Sequence, residues 1–218
     1  MTIMSPVTYG QSTTSEKQSV IAEQRCVMMG TNVVIKVQTE ESKQENAHAA
    51  IEKAVSRMQS LIDIVNARDP NSEVSYLNQN AGKGPVHIHT ELMQILRTSR
   101  DVSVASDGAF DVTFYAVGQL WKLRPVLPEI PTDEAINSAL LSVGYQKLIL
   151  NPDAMTAFLE KKGMQIELGA IAKGAVVDEA AQSLRADGFT NYLINAGGDL
   201  YVDSPAELPG WQIGLTNP

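Results

Sequence analysis

The sequence predicts an α+β fold, with helices packed on a mainly antiparallel sheet. Three observations support it: a β-rich run followed by an amphipathic helix, a central series of short β segments at hairpin spacing, and a late helix followed by a Gly-Gly hairpin. The chain has 218 residues, of which 44% are hydrophobic and 19% charged. This composition is typical of a folded globular protein.

The first elements are a strand and a long helix. A β-rich run over residues 26–39 alternates apolar and polar side chains and is interrupted at Gly30. Ser42 and Glu45 have the spacing of a capping box, and apolar residues then recur at helical intervals. We therefore expect an amphipathic helix over residues 43–66.

A polar segment and two further helices follow. Residues 66–84 predict a long loop with one helical turn in SEVSYLN (72–78), and long loops on compact domains are often functional. Helical periodicity predicts a second helix over 90–105, with Leu92, Ile95, Leu96, Ser99 and Val102 inward, and a third over 132–143 that Gly144 terminates.

The second half of the chain alternates hairpin and helix signals. Three short β segments, at 145–150, 155–160 and 164–168, are separated by turn sequences and predict a meander. The chain then continues with a helix over 174–186 ended by Gly188, a hairpin whose turn is residues 196–199, and a strand that begins at residue 211.

Charge and composition exclude several classes of function. The net charge is −8 and the isoelectric point is near 4.9, so the chain as a whole repels a phosphate backbone and nucleic acid is not an expected partner. A single cysteine, Cys26, excludes an intrachain disulfide and a multi-thiolate metal site. No apolar window is long enough to span a membrane. Residues 1–20 have neither the basic nor the apolar region of a secretory signal, and we expect a mobile tail there.

The most informative segment is QIELGAIAKGAVVD, residues 165–178. A strand that ends at Glu167 passes through two glycines into a helix start, where backbone N–H groups and Lys173 favour a phosphate group. The segment is not a P-loop, because the lysine precedes the second glycine and no Ser or Thr follows. The alternative is that the glycines only permit a tight strand-to-helix turn.

Two further segments combine turn residues with polar groups. In GAFDVT (108–113) an aromatic ring, a carboxylate and a hydroxyl follow one turn, which suits a ring-shaped ligand or, equally, a core Phe110 beside a turn-capping Asp111. In NAGGD (195–199) the adjacent glycines suit either a ligand or a plain hairpin. These residues alone do not decide between the alternatives.

Other candidate groups favour structural roles. His87 and His89 share a face of a predicted strand, but no neighbouring carboxylate or thiolate supports a metal site, and a solvated surface is the favoured interpretation. Cys26 lies at a strand start and is interpreted as a small apolar residue rather than a nucleophile.

Taken together and in order, these segments resemble the FAD:protein FMN transferases, the ApbE family. The resemblance covers residues 26–218. It is carried by MGT (29–31), SEVSYLN (72–78), GAFDVT (108–113), Trp121, ELGAIAKGAVVD (167–178) and NAGGD (195–199) before Trp211. It implies a two-lobed α+β architecture of the ApbE type, related to the T-fold, over residues 21–218.

The resemblance also implies an activity and a site. Members of the family use Mg²⁺ to cleave FAD and attach its FMN part, through a phosphoester, to a Thr or Ser hydroxyl of an acceptor flavoprotein subunit of a membrane redox complex. The family also suggests the periplasmic side of the bacterial inner membrane, although no signal or lipobox is visible in this chain. Residues expected to contact FAD are Met29, Ala109, Phe110, Asp111, Glu167 and Lys173, and the backbone carbonyl of Ala170 would be a metal ligand. No catalytic residue is assigned.

The chain departs from the family pattern at three places. Arg68 stands where many relatives have an aromatic residue, and Gly169-Ala170 replaces Gly-Gly. The chain also stops at Pro218, before the family's His-containing and Asp-Pro-x-x-Gly segments with further metal ligands, so we expect the C-terminal part of the domain to be absent. Two alternatives therefore stay open: an FAD-binding module without transfer activity, and a metal-dependent FAD pyrophosphatase.

Overall fold

The computed structural model describes residues 19–121 and 130–214 and confirms the α+β prediction. The strands are β1 (Ser19–Met28), β2 (Thr31–Glu40), β3 (Val86–His87), β4 (Leu148–Asn151), β5 (Thr156–Leu159), β6 (Tyr192–Ala196) and β7 (Asp199–Asp203). The helices are α1 (Gln44–Val65), α2 (Glu73–Gln79), α3 (Thr90–Ala105), α4 (Tyr115–Gly118), α5 (Asp133–Leu140) and α6 (Gly169–Ala186).

The larger sheet has the strand order β1-β2-β6-β7, and every neighbouring pair in it is antiparallel. Alternating Val33, Ile35 and Val37 of β2 are buried against the helical layer formed by α1 and α6, as their spacing predicts. The opposite face of the sheet is more exposed. The smaller sheet has the order β3-β5-β4.

The first β-rich run forms a hairpin rather than one interrupted strand. Met28 pairs with Thr31, and the two-residue turn between them, Met29-Gly30, has φ angles of 52° and 71°. Positive φ at both positions is the geometry of a type I′ turn, which matches the twist of the flanking strands. The hairpin begins at Ser19, so the expected tail is wrong for residues 19 and 20, and residues 1–18 lie outside the described part.

The first helices lie close to their predicted bounds, with local differences. The capping box is wrong: Glu41–Lys43 form a 3₁₀ turn, and no side chain caps α1. In α3 the bounds agree with the prediction, but Val102 is 40% exposed while Ser103 is buried. Ser103 can face the core because its hydroxyl donates a hydrogen bond to the backbone carbonyl of Ser99.

The predicted meander is wrong in its third segment. β4 and β5 pair as expected, but β5 receives β3 on its other side, and residues 164–168 form only one bridge, between Gln165 and Phe114. The backbone of Ile166 pairs instead with a side chain. Asn78 Nδ2 donates to the Ile166 carbonyl at 3.0 Å, and Asn78 Oδ1 accepts from the Ile166 amide at 2.8 Å.

The C-terminal half contains one correction that affects the site. α6 begins at Gly169, not at residue 174, so Lys173 and Gly174 are helical. The β6–β7 hairpin forms as predicted, with Gly197-Gly198 as its turn. Helix α5 is shorter than predicted and ends at Leu140. Residues 211–214 do not form the predicted strand, and the rest of that segment lies outside the described residues.

Candidate functional site

Three chain segments meet around a cavity of about 450 Å³, here called cavity A. They are the β1–β2 turn with Met29, the segment after α1 with Arg68, and the start of α6 with Glu167 and Lys173. The apolar part of the lining comes from the last turns of α1 and from Ala172 of α6. Cavity A therefore combines an apolar wall with charged groups, as small-molecule sites commonly do.

A second cavity of about 340 Å³, cavity B, lies on the other side of Glu167. The 108–112 turn lines it with Ala109, Phe110 and Asp111, and Ala170 of α6 completes the wall. Because Glu167 lines both cavities, they are neighbours. All seven residues predicted for the site thus line cavity A or cavity B, and the contacts predicted for them with FAD and metal stay predictions.

Glu167 is held at the boundary by backbone hydrogen bonds. Its amide donates to the Val112 carbonyl at 3.0 Å, and its carboxylate Oε1 accepts from the Gly169 amide at 3.0 Å. The carboxylate therefore accepts a hydrogen bond from one of the N–H groups that a helix start leaves without a backbone partner. A Cβ at residue 169 would lie 2.7 Å from that oxygen, so a larger residue there would require the Glu167 carboxylate to shift.

Lys173 lies in the second turn of α6 rather than beside the helix start. Its Nζ is 3.2 Å from Asp199 Oδ2, and the two side chains are 38% and 52% exposed. The pair connects α6 to the β6–β7 hairpin. The charge of Lys173 in cavity A is therefore partly neutralised by a neighbour.

Asp111 has a well-defined structural role in addition to its place in cavity B. One carboxylate oxygen accepts from the amide and the hydroxyl of Thr113, at 2.8 and 2.6 Å, and the other accepts from the Tyr145 amide at 2.8 Å. The Thr113 hydroxyl in turn accepts from the Gly144 amide at 2.7 Å. This network fastens the GAFDVT turn to residues 144–145 and leaves the ring of Phe110 half-buried at the cavity wall.

The NAGGD segment forms a plain hairpin turn that packs beside the β1–β2 turn. The Gly197 amide donates to the Asn32 carbonyl at 3.0 Å, and a Cβ at residue 197 would overlap the side chain of Thr31. Met29, a residue other than glycine with positive φ, lies in the neighbouring turn. Such backbone strain is found often at functional sites.

The described residues do not by themselves form a magnesium site. Ala170 lines cavity B with Asp111 and Glu167, but three oxygens of these two carboxylates accept hydrogen bonds from the chain. Over residues 19–121 and 130–214, no group of three or more His, Cys, Asp or Glu side chains is placed to hold a metal ion. Mg²⁺ prefers six oxygens in octahedral geometry, which this set does not supply.

Other groups set aside in the sequence take no part in these cavities. Cys26 is half-buried in β1 and packs against the core, and burial raises the pKa of its thiol. A thiol that keeps its proton is a poor nucleophile. His89 contacts Glu73 through its ring and its backbone amide.

Sequence reasoning missed two residues of this region. Arg68 lines cavity A and a third cavity, cavity C, of about 270 Å³. Asn78, which also lines cavity C, pairs with the backbone of Ile166, the residue immediately before Glu167. No periodic sequence pattern predicts that the side-chain amide of Asn78 pairs with the backbone in place of a neighbouring strand. Arg68 was noted in the sequence only as a departure from the family pattern.

Comparison with known proteins assigns the family. A family model described as the ApbE family matches residues 29–218. The chain belongs to the ApbE family. It is 28% identical over 192 residues to a protein of Klebsiella pneumoniae named FAD:protein FMN transferase, covering 88% of this chain and 57% of that one. A Haemophilus influenzae protein with the same name is 31% identical over 180 residues, covering 78% of this chain and 52% of that protein.

Solved structures of ApbE proteins have the same fold. The flavin transferase ApbE from Vibrio cholerae has a TM-score of 0.75 at 23% identity, and the ApbE protein of Thermotoga maritima has a TM-score of 0.74 at 26% identity. Each match covers 85% of this chain and 60% of the other. The chain thus spans three-fifths or less of the length of these relatives. Among the described residues, no helix is long and apolar enough to cross a membrane.

Proposed function

We propose that the whole protein is an FAD:protein FMN transferase and that cavities A and B receive FAD. One observation carries the proposal: seven residues chosen from separate sequence motifs line two cavities that share Glu167. Membership of the ApbE family, and relatives named for this activity, support it.

The proposed reaction transfers a phosphoryl-linked flavin. The oxygen of an acceptor Thr or Ser hydroxyl bonds to the flavin-side phosphorus of FAD. The bond from that phosphorus to the bridging oxygen breaks, AMP leaves with the bridging oxygen, and the hydroxyl proton passes to solvent. Such reactions depend on positioning and charge stabilisation more than on covalent catalysis, so a shaped cleft with a few charged groups suits them.

We include Mg²⁺ in the proposal for the whole protein. Bound to the pyrophosphate, it would neutralise charge as the bridging bond breaks. The Ala170 carbonyl and the free oxygen of Glu167 are the donors that this part of the chain could offer. The described residues do not complete its coordination, so no step is assigned to it.

The acceptor and the location belong to the same proposal. The acceptor is a flavoprotein subunit of a membrane redox complex, and the protein works on the periplasmic side of the bacterial inner membrane. The family resemblance supports both the acceptor class and the location.

A transfer assay tests the proposal. The whole protein is incubated with FAD, Mg²⁺ and a Thr-containing acceptor, and the acceptor is analysed by mass spectrometry. The expected result is an acceptor with one FMN attached and an equal amount of released AMP. Free FMN and AMP without an adduct would establish a pyrophosphatase instead, and tight FAD binding without any cleavage would establish a binding module.

A further inference from the structure

Cavities A, B and C together form a cleft, and the charged side chains that line it differ in whether they form hydrogen bonds or ion pairs. In the described part of the chain, those lining cavities A, B and C are Arg68, Asp111, Glu167 and Lys173. Both carboxylates accept backbone hydrogen bonds, and Lys173 pairs with Asp199. Arg68 differs from the others, because no ion pair or hydrogen bond within the described residues engages its guanidinium.

The backbone that carries Arg68 is nevertheless well held. Its amide donates to Asn66 Oδ1 at 3.1 Å, and the Asp69 amide donates to the Asn66 carbonyl at 3.0 Å. The Ser72 amide then donates to the Asp69 carbonyl at 3.1 Å. A short hydrogen-bonded turn therefore presents the Arg68 guanidinium, which has no partner in residues 19–121 and 130–214, where cavity A meets cavity C.

We propose that Arg68 binds the phosphate oxygens of the dinucleotide in the cleft. This inference rests on the proposed function, because it assumes that FAD is the ligand. The chain carries a net charge of −8, so its overall field opposes an anionic ligand, and attraction has to come from local groups, among them a guanidinium that no described side chain neutralises. A guanidinium also offers a planar pair of N–H donors that matches two phosphate oxygens.

Comparison of two flavins tests this role. FAD and riboflavin share the isoalloxazine ring, but riboflavin has no phosphate. We expect Arg68→Gln to weaken FAD binding about tenfold, the effect of losing one charge-assisted contact, and to leave riboflavin affinity unchanged. Arg68→Lys keeps the positive charge but loses the paired N–H donors, so its FAD affinity is expected to lie between those of the wild type and Arg68→Gln. Affinities are measured by flavin fluorescence with the whole protein.

Arg97→Gln is the matched control. Arg97 is exposed on α3, lines none of the three cavities, and its replacement changes the net charge by the same amount. It is expected to bind FAD as the wild type does. The salt dependence of FAD affinity gives a second measurement, because loss of a phosphate contact reduces its slope.

Three results would contradict the inference. Equal weakening of FAD and riboflavin by Arg68→Gln would show that the side chain stacks on the flavin ring instead. An unchanged FAD affinity and salt slope would show that Arg68 does not contact FAD. An equal loss of FAD affinity in Arg97→Gln would show that Arg68 acts only through the net charge of the protein. If the wild type itself fails to bind FAD, the proposed function fails instead.

Discussion

Individual side chains at the cleft are positioned mainly by contacts with backbone groups. Asp111 and Glu167 each accept hydrogen bonds from nearby amides, and Asn78 pairs with both backbone groups of Ile166. Lys173 differs, because its one described partner is the side chain of Asp199 on a different element. The consequences of removing these side chains should differ accordingly.

Replacement of Lys173 by Ala should impair FAD binding more than folding. The Lys173–Asp199 pair is partly exposed, and such pairs contribute less than about 1 kcal/mol to stability. Titration with FAD and thermal unfolding measure the two effects separately. Lys53→Ala is the control, since Lys53 forms a similar exposed pair with Asp187 away from the cavities. An unchanged FAD affinity with a lower melting temperature would make Lys173 a structural residue.

Replacement of Asn78 by Ala should destabilise the protein by about 2–4 kcal/mol. The change leaves the amide and carbonyl of buried Ile166 without partners, and each unsatisfied group costs about 1–3 kcal/mol. Denaturant unfolding measures the loss. Asn80→Ala removes one exposed side-chain hydrogen bond to the Tyr76 carbonyl and should change stability by less than about 1 kcal/mol. Equal effects of the two variants would show that the Asn78 pairing is unimportant.

At the level of elements, two hairpin turns lie side by side at one end of the larger sheet. β2 pairs with β6, which brings the Met29-Gly30 turn beside the Gly197-Gly198 turn. Gly30 and Gly197 both have positive φ, yet a Cβ would find open space at residue 30 and overlap Thr31 at residue 197. Substitution of Gly30 therefore tests the cost of backbone strain alone, whereas substitution of Gly197 tests backbone strain together with a packing overlap.

Gly197→Ala should destabilise the protein more than Gly30→Ala. The strain of a side chain at positive φ costs about 1 kcal/mol at either position. At residue 197 the overlap with Thr31 adds about 2 kcal/mol, as overpacking typically does. Chemical denaturation of both variants measures the difference. Equal losses would mean that the contact between the turns relaxes without cost.

Local patterns predicted some elements and missed others for identifiable reasons. Alternation and a Gly-Gly pair predicted the β6–β7 hairpin, because both signals are local. The start of α6 was missed because two glycines have low helix propensity, whereas the Glu167 carboxylate stabilises the helix end at Gly169. The third meander strand was wrong because Asn78, distant in the chain, takes the place of a strand.

At the level of the whole molecule, the order of the motifs carried more information than any motif alone. Residues from the first hairpin, the 108–111 turn and α6 line cavities A and B, although the 108–113 and 165–178 segments each also had a structural explanation when considered alone. The unengaged guanidinium of Arg68 could not be predicted, because whether a side chain finds a partner among the described residues depends on how the chain folds. A resemblance identifies shared positions, not those that a chain has changed.

The stability of the whole fold should fall at high pH through Tyr192. This side chain is fully buried between the sheet and α6, and its hydroxyl donates to the Ala181 carbonyl at 3.3 Å. Burial raises its pKa to about 12. Because the folded state holds the proton more tightly than the unfolded state, the contribution is complete below pH ~10 and is lost as pH rises towards 12. Urea unfolding of wild type and Tyr192→Phe should show a shallower decline in the variant, and parallel declines would contradict this assignment.

The central claim is that cavities A and B together form the site for FAD. A crystal structure of the whole protein with FAD tests this claim most directly. We expect the dinucleotide to lie across both cavities, in contact with Met29, Phe110 and Lys173, with its pyrophosphate near Glu167 and Arg68. A separate cavity lies between α1, α3 and α6 and is lined by Glu91, Asp178 and Glu179. FAD bound there, or anywhere that leaves Met29, Phe110 and Lys173 without contact to it, would contradict the claim.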